Sequence, residues 1–132
     1  MIVGVTGTRR GLTPAQIDAA HRLLDGVTTL HHGDCVGADA TLARIAEQYG
    51  LHTVAHPPDN GRWRTYAAAD ESWEPKPYLQ RNRDIVLVSD RLLAFPDGPE
   101  RRQSGTWSTV RYAAWAGHPV VVVAPDGTMS RR

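Results

Sequence analysis

Thr28-Thr29-Leu30-His31-His32-Gly33-Asp34-Cys35-Val36-Gly37-Ala38-Asp39 runs from a β-branched, apolar stretch through a glycine-bounded loop directly into a helical pattern. The helix reads from about Ala38 to Tyr49, and Gly50 ends it. This strand–loop–helix step is the unit from which a parallel sheet is built, because parallel neighbours need a crossover connection. It recurs on both sides. Met1 to Thr6 is apolar and β-branched, breaks at Gly7-Thr8-Arg9-Arg10-Gly11, and is followed by a helix with Thr13 as N-cap and Pro14 at its first position. Ile17, Ala20, Leu23 and Leu24 of that helix follow a 3.6-residue period.

Leu51 to Ala55 reads as a third strand and Arg91 to Phe95 as a fourth, with a helix at Tyr78–Val88 between them. Thr106 to Ala116 is helical and stops at Gly117-His118-Pro119. Val120 to Ala124 is wholly apolar, as suits a parallel strand covered on both faces. The expected architecture is α/β: a single Rossmann-like domain spanning residues 1–132, its mostly parallel sheet of about five strands flanked by helices on both faces. The segment from His56 to Pro77 is a long excursion rich in proline, with Trp63, Tyr66 and Trp73 spaced along it. Its aromatic rings either stack on a base or pin the loop.

Composition narrows the function classes. A net charge of +1 gives no bulk drive toward DNA or anionic lipid, which argues against a nucleic-acid partner. No apolar run approaches the roughly 20 residues of a spanning helix, and the N-terminus lacks the features of a signal peptide. The single cysteine, Cys35, has no internal partner, which suits a reducing compartment; the expectation is a cytoplasmic protein. Basic residues are almost all arginine, and Lys76 is the only lysine.

In open parallel sheets, ligands lie outside the carboxyl ends of the strands at the switch point in strand order. That rule selects the loops Gly7–Gly11, Gly33–Asp39, the loop after His56, and Pro96–Thr106. Gly33 to Asp39 and Ser104-Gly105-Thr106 both open helices, where unsatisfied N–H groups and the helix dipole suit an anion. The spacing matches neither the dinucleotide G-x-G-x-x-G nor the P-loop pattern. Asp39 reads either as a helix cap or as a partner for a ribose hydroxyl. His31, His32 and Cys35 lack the spaced ligand pairs of a zinc site, so no metal is expected. Trp107, Arg111 and Trp115 fall at i, i+4 and i+8, a stripe readable as a homodimer contact or as packing beneath the long loop.

Several motifs occur in order: Gly7-Thr8-Arg9, His32 to Asp39, His56-Pro57-Pro58, Arg81-Asn82-Arg83, Ala94-Phe95-Pro96-Asp97-Gly98, Gly105-Thr106 with Val110-Arg111, and Gly117-His118-Pro119-Val120. With this series the chain resembles the SLOG superfamily, which includes the DprA/Smf recombination mediators and the LOG phosphoribohydrolases, and within it the YspA/YpsA-related group of small proteins. The resemblance implies a Rossmann-like fold that binds a nucleotide or nucleotide-derived ligand. It implies ligand contacts at Gly7, Thr8, Arg9, Gly33, Asp34, Gly37, Asp39, Arg81, Asn82, Gly105 and Thr106.

The chain departs from the LOG pattern P-G-G-x-G-T-x-x-E, whose glutamate supports cleavage of the N-glycosidic bond. An insertion, Pro99 to Ser104, separates Pro96-Asp97-Gly98 from Gly105-Thr106, and Thr109 stands at the glutamate's position. Threonine does not do a carboxylate's work as base or as stabiliser of a developing cation. Glu100, Asp97 and Asp34 are the carboxylates to test as substitutes. The leading expectation is therefore a sensor or sequestering module for a nucleotide, acting without a cofactor and as a homodimer. A nucleoside-monophosphate N-glycosidase is the first alternative, with its catalytic residues unassigned, and DprA-like single-strand DNA binding is the second. Lys76, between Pro75 and Pro77, is a poor Schiff-base residue, which argues against a decarboxylase using pyridoxal phosphate.

Overall fold

The structure, a computed structural model, describes residues 1–132. Its elements in chain order are β1 (Ile2–Gly7), α1 (Pro14–Leu23), β2 (Thr29–His32), α2 (Ala38–Gln48), β3 (His52–Ala55), a short 3₁₀ turn (Gly61–Trp63), β4 (Glu71–Ser72), α3 (Tyr78–Leu87), β5 (Arg91–Phe95), α4 (Gly105–Trp115), β6 (Val120–Val123) and β7 (Met129–Arg131). They build one sheet of order β4-β3-β2-β1-β5-β6-β7. Every pairing is parallel except β6 with β7.

All five expected strands are present, and two more extend the sheet to seven. The additions are the edge strands β4 and β7, of two and three residues, exposed throughout. Neither carries an apolar alternation, because an edge strand without a buried face has none to display. β4 is the part of the long excursion that pairs with β3, matching Val54 to Glu71 and Ala55 to Ser72.

Alternation along the central strands explains the two layers. Val3 and Val5 of β1, Leu93 and Phe95 of β5, and Val121 and Val123 of β6 point to one face. There they meet Ala19, Ala20 and Leu24 from α1 and its end, and Ala38, Leu42 and Ile45 of α2. Leu92, Ala94, Val120 and Val122 point to the other face and meet Ile85 and Val86 of α3 and Trp107, Val110 and Ala113 of α4. α1 starts as expected: Thr13 accepts from the Gln16 amide at 3.1 Å and Gln16 Oε1 accepts from the Thr13 amide at 3.1 Å, a reciprocal cap. Gln16 Nε2 then reaches the carbonyls of Pro96 and Val123 at 2.8 and 3.0 Å, tying the ends of β5 and β6 to α1.

Trp107 is buried in the second layer, with its indole N–H donating to the Gly98 carbonyl at 3.3 Å. Arg111 bonds Glu100, and only Trp115 stands free, 82% exposed. The tryptophan stripe read on this helix is thus not one continuous surface, because its first member faces the sheet. No helix is long and apolar enough to cross a membrane.

Candidate functional site

The chain proceeds outward from β1 to β2 and β3, then returns to the other side of β1 as β5. The switch point therefore lies between the carboxyl ends of β1 and β5, at Gly7 and Phe95. A cavity of ≈ 420 Å³ opens there, within the range of roughly 300–1,000 Å³ for small-molecule sites. Its walls come from the loop after β1 (Thr8, Arg9, Arg10), the turn after β2 (Gly33, Cys35, Asp39), the start of α3 (Tyr78, Arg81, Asn82) and the loop leading into α4 (Asp97, Arg101, Ser104 to Thr106).

Of the residues expected at the ligand, Gly7, Thr8, Arg9, Gly33, Asp39, Arg81, Asn82, Gly105 and Thr106 all line this cavity. Asp34 and Gly37 do not. Asp34 is buried in a left-handed backbone conformation, φ 55°. Its carboxylate accepts from Arg64 Nε at 2.8 Å and from the Ala67 amide at 3.0 Å, and its carbonyl accepts from the Thr65 amide at 2.9 Å. It anchors the long excursion. Gly37 has φ +91°, and a Cβ there would lie 2.5 Å from the Thr8 carbonyl oxygen. Its role is to let α2 start against the loop after β1. Gly7 serves similarly, since a Cβ on it would lie 2.5 Å from Ala38 Cβ.

The two helix starts are not equivalent. At α2, the Ala38 amide donates to the Thr8 carbonyl at 2.9 Å, the Cys35 amide to Asp39 Oδ2 at 3.3 Å, and the Val36 amide to the Trp63 carbonyl at 2.8 Å. At that turn the protein's own acceptors take these three amides, and Asp39 adds negative charge in the first turn, which opposes an anion there. At α4, Ser104 caps the helix by accepting from the Trp107 amide at 3.2 Å, while the Gly105 and Thr106 amides donate to no protein acceptor. A Cβ built on Gly105 would meet nothing within 4 Å, so this corner is open. Arg9 and Arg10 stand nearby. Arg9 lies over the Trp63 ring, 4.7 Å from its centroid, and Arg10 is 3.8 Å from Asp97.

Arg81 is a clamp within the protein. It is buried, donates through Nη1 to the carbonyls of Gly33 and His56, the latter at 3.1 Å, and through Nε to Asn82 Oδ1 at 2.6 Å. Its Nη2 reaches Cys35 Sγ at 3.5 Å. It thereby ties the turns after β2 and β3 to α3, and Gly33 leaves the room for it. The Asn82 carbonyl oxygen is used in the same bond.

Among the carboxylates considered as substitutes for the glutamate, Glu100 lies outside the cavity, bonded to Arg111 and Arg132 at 3.1 Å each. Asp34 is held by Arg64. Asp97 does line the cavity, but Arg101 at 2.8 Å holds its carboxyl below the ordinary carboxylate range. Thr109 donates its hydroxyl to the Gly105 carbonyl at 2.9 Å and does not reach the cavity. Asp39 is the other carboxylate in the wall. Burial pushes its pKa up, and the neighbouring Arg81 acts in the opposite sense. Burial also raises the Cys35 thiol, as expected of a packed thiol rather than a reactive one.

Behind the wall, His31 Nδ1 and His56 Nε2 lie 2.8 Å apart, and Trp73 packs on His56 with ring centroids 4.3 Å apart. Burial, followed by the neighbouring His31, drives His56 down to about 3. Trp73 therefore pins the excursion. Trp63 is flanked by Arg9 and Arg62, each 4.7 Å from its ring centroid. The sequence reading named Ser104 at the helix start and Asp97 as a candidate carboxylate, but missed Arg101 and Tyr78 as wall residues. The signal available for Arg101 was the insertion Pro99 to Ser104, which places polar side chains directly before a helix start.

No protein-family model and no curated protein sequence matches the chain. Solved structures do. The chain is 27% identical to the molybdenum cofactor binding protein of the phototrophic bacterium Rippkaea orientalis, with a TM-score of 0.71 over 93% of this chain and 76% of that one. It is 26% identical to the Moco carrier protein of Chlamydomonas reinhardtii, with a TM-score of 0.66 over 92% and 74%. DNA processing protein A from Helicobacter pylori shares the fold at 23% identity and a TM-score of 0.67, over 92% of this chain and 64% of that one. That protein has a single-stranded DNA binding mode, which corrects the expectation, drawn from net charge, that a nucleic-acid partner is unlikely. The physical reason is that net charge averages over the whole surface, whereas Arg9, Arg10 and Arg101 are concentrated at one cavity. The shared fold and the ordered series of motifs point the same way: the chain has the Rossmann-like fold of these proteins and resembles the SLOG superfamily, a likeness that supports ligand binding.

Proposed function

We propose that this domain binds a nucleotide or nucleotide-derived phosphate compound in the switch-point cavity and acts as a sensor or sequestering module. The observation that carries the reading is the pair of unpartnered amides at Gly105 and Thr106, opening onto free space beside Arg9 and Arg10. Backbone N–H groups at a helix start, aided by the dipole, are a ready anion site. Two neighbours that handle the molybdenum cofactor support binding rather than turnover as the role. An N-glycosidase of the LOG type would need a carboxylate where Thr109 bonds its own helix.

Calorimetry tests the reading with AMP, ADP-ribose, adenosine, inorganic phosphate and the molybdenum cofactor, with a single-stranded oligonucleotide at two salt concentrations as a further arm. The expected result is binding that requires a phosphate group, with the nucleotide recovered intact by chromatography. Equal binding of adenosine and AMP would refute the assignment of the α4 start as the anion site. Release of free base would convert the reading to hydrolysis.

A further inference from the structure

Two carboxylates stand in the cavity wall. Asp39 is buried, whereas Asp97 reaches the opening with its side chain 22% exposed. Donors from two separate segments converge on Asp97. From the loop after β1, the Thr8 hydroxyl donates to Oδ2 at 3.4 Å and Arg10 Nε lies 3.8 Å from the same oxygen. From the insertion before α4, Arg101 Nη1 donates to Oδ1 at 2.8 Å. A hydroxyl and two guanidinium groups around one carboxylate are the surroundings that a bound phosphate oxygen receives. Here the anion they hold belongs to the chain and cannot leave. Arg101 also keeps it ionised.

The charge of the wall sets what can join it. Arg81 is matched by Asp39 and Arg101 by Asp97, which leaves Arg9 and Arg10 in excess. A phosphate monoester carries close to two negative charges at neutral pH, which that excess balances. A diphosphate brings further charge, and the donors suited to it already hold a carboxylate. Like charges brought together in a partly enclosed site repel strongly enough to decide which ligand binds. We propose that Asp97 fills the position of a second phosphate group, so that the cavity accepts a compound with one phosphate and rejects a di- or triphosphate chain. This rests on the phosphate reading above.

Calorimetry in magnesium-free buffer decides it, with adenosine, AMP, ADP and ATP against wild type, Asp97→Asn and Asp97→Glu. Asparagine keeps a side-chain oxygen for Thr8 and Arg101 but loses the charge. Wild type is expected to bind AMP at least about tenfold more tightly than ADP or ATP. In Asp97→Asn the ratio of AMP to ADP affinity is expected to move at least about tenfold toward ADP, because Arg10 and Arg101 become available to the second phosphate. Asp97→Glu, which restores the charge, should remain selective for AMP. If Asp97 only held the two segments together, Asp97→Asn would weaken every phosphate compound by the same factor and leave the ratio unchanged.

Wild type binding ADP as tightly as AMP would overturn the Asp97 proposal while the phosphate reading survives, and so would an unchanged ratio in Asp97→Asn. If adenosine binds as well as AMP, or no phosphate compound binds, the phosphate reading falls and the proposal with it. The wild-type series decides alone if Asp97→Asn does not fold.

Discussion

Removing the Arg81 guanidinium separates architecture from ligand binding at this site. In Arg81→Ala, the buried carbonyls of Gly33 and His56 lose their donor, and Asp39 loses the cation beside it. A buried polar group left unpaired costs about 1–3 kcal/mol, and removing one partner of a buried charged network costs about 3–5 kcal/mol. The two figures describe overlapping losses, so a total of about 3–5 kcal/mol is expected. With an m-value of about 2 kcal/mol/M, the urea midpoint falls by roughly 1.5–2.5 M. The assay is equilibrium urea unfolding followed by tryptophan fluorescence and far-UV circular dichroism. Arg81→Lys should lose an intermediate amount, because an ammonium cannot reproduce the planar fork that spans two carbonyls and Asn82. A midpoint within about 0.5 M of wild type, together with a large loss of nucleotide affinity, would show Arg81 to be a ligand clamp and refute the reasoning.

Gly105→Val places a side chain where nothing lies within 4 Å, so phosphate-dependent binding should drop at least tenfold by calorimetry while the melting temperature barely moves; unchanged affinity would remove the α4 start from the site. Asp34→Ala releases Arg64 and the Ala67 amide, at a cost of about 3 kcal/mol for breaking a buried pair, and limited proteolysis should then cut within residues 59–70; a wild-type digestion pattern would contradict the anchor role. Burial lowers the folded-state pKa of His31, His32 and His56, the last to about 3. The unfolded chain therefore binds more protons than the folded one below pH 6.5, and stability is lost as pH falls from there toward 3. Asp39, pushed up by burial, shifts the opposite way and offsets part of this loss. Urea midpoints at pH 7.5 and 5.5 check the sign, and His56→Gln should flatten the dependence; a midpoint that rises on acidification would contradict it.

Much of the fold was legible in the chain because its signals are local. Val120 to Val123 is apolar at every position, Thr13-Pro14 carries its own cap and first-turn geometry, and Gly33 to Asp39 joins a strand to a helix with no intervening linker. The parallel sheet, its two helical layers and the edge that carries the cavity follow from that alternation and from the handedness of crossovers. The short edge strands escaped because two or three exposed residues have no buried face to betray them.

What the sequence by itself determined is which loops gather at the carboxyl edge, since strand–helix order dictates that. Which groups in those loops are free was decided only by the tertiary structure. The two helix starts look alike as sequence, yet at α2 the Ala38 amide is taken by the Thr8 carbonyl and Asp39 brings a carboxylate into the first turn, while the α4 start opens on free space at Gly105. Asp34 looks like a ligand residue until its partner, 30 residues away, is seen to be Arg64, and Arg81, though it lines the cavity, also clamps the carbonyl of Gly33, 48 residues away. A hydrogen bond is a property of two positions in space, and the chain order records only one of them at a time.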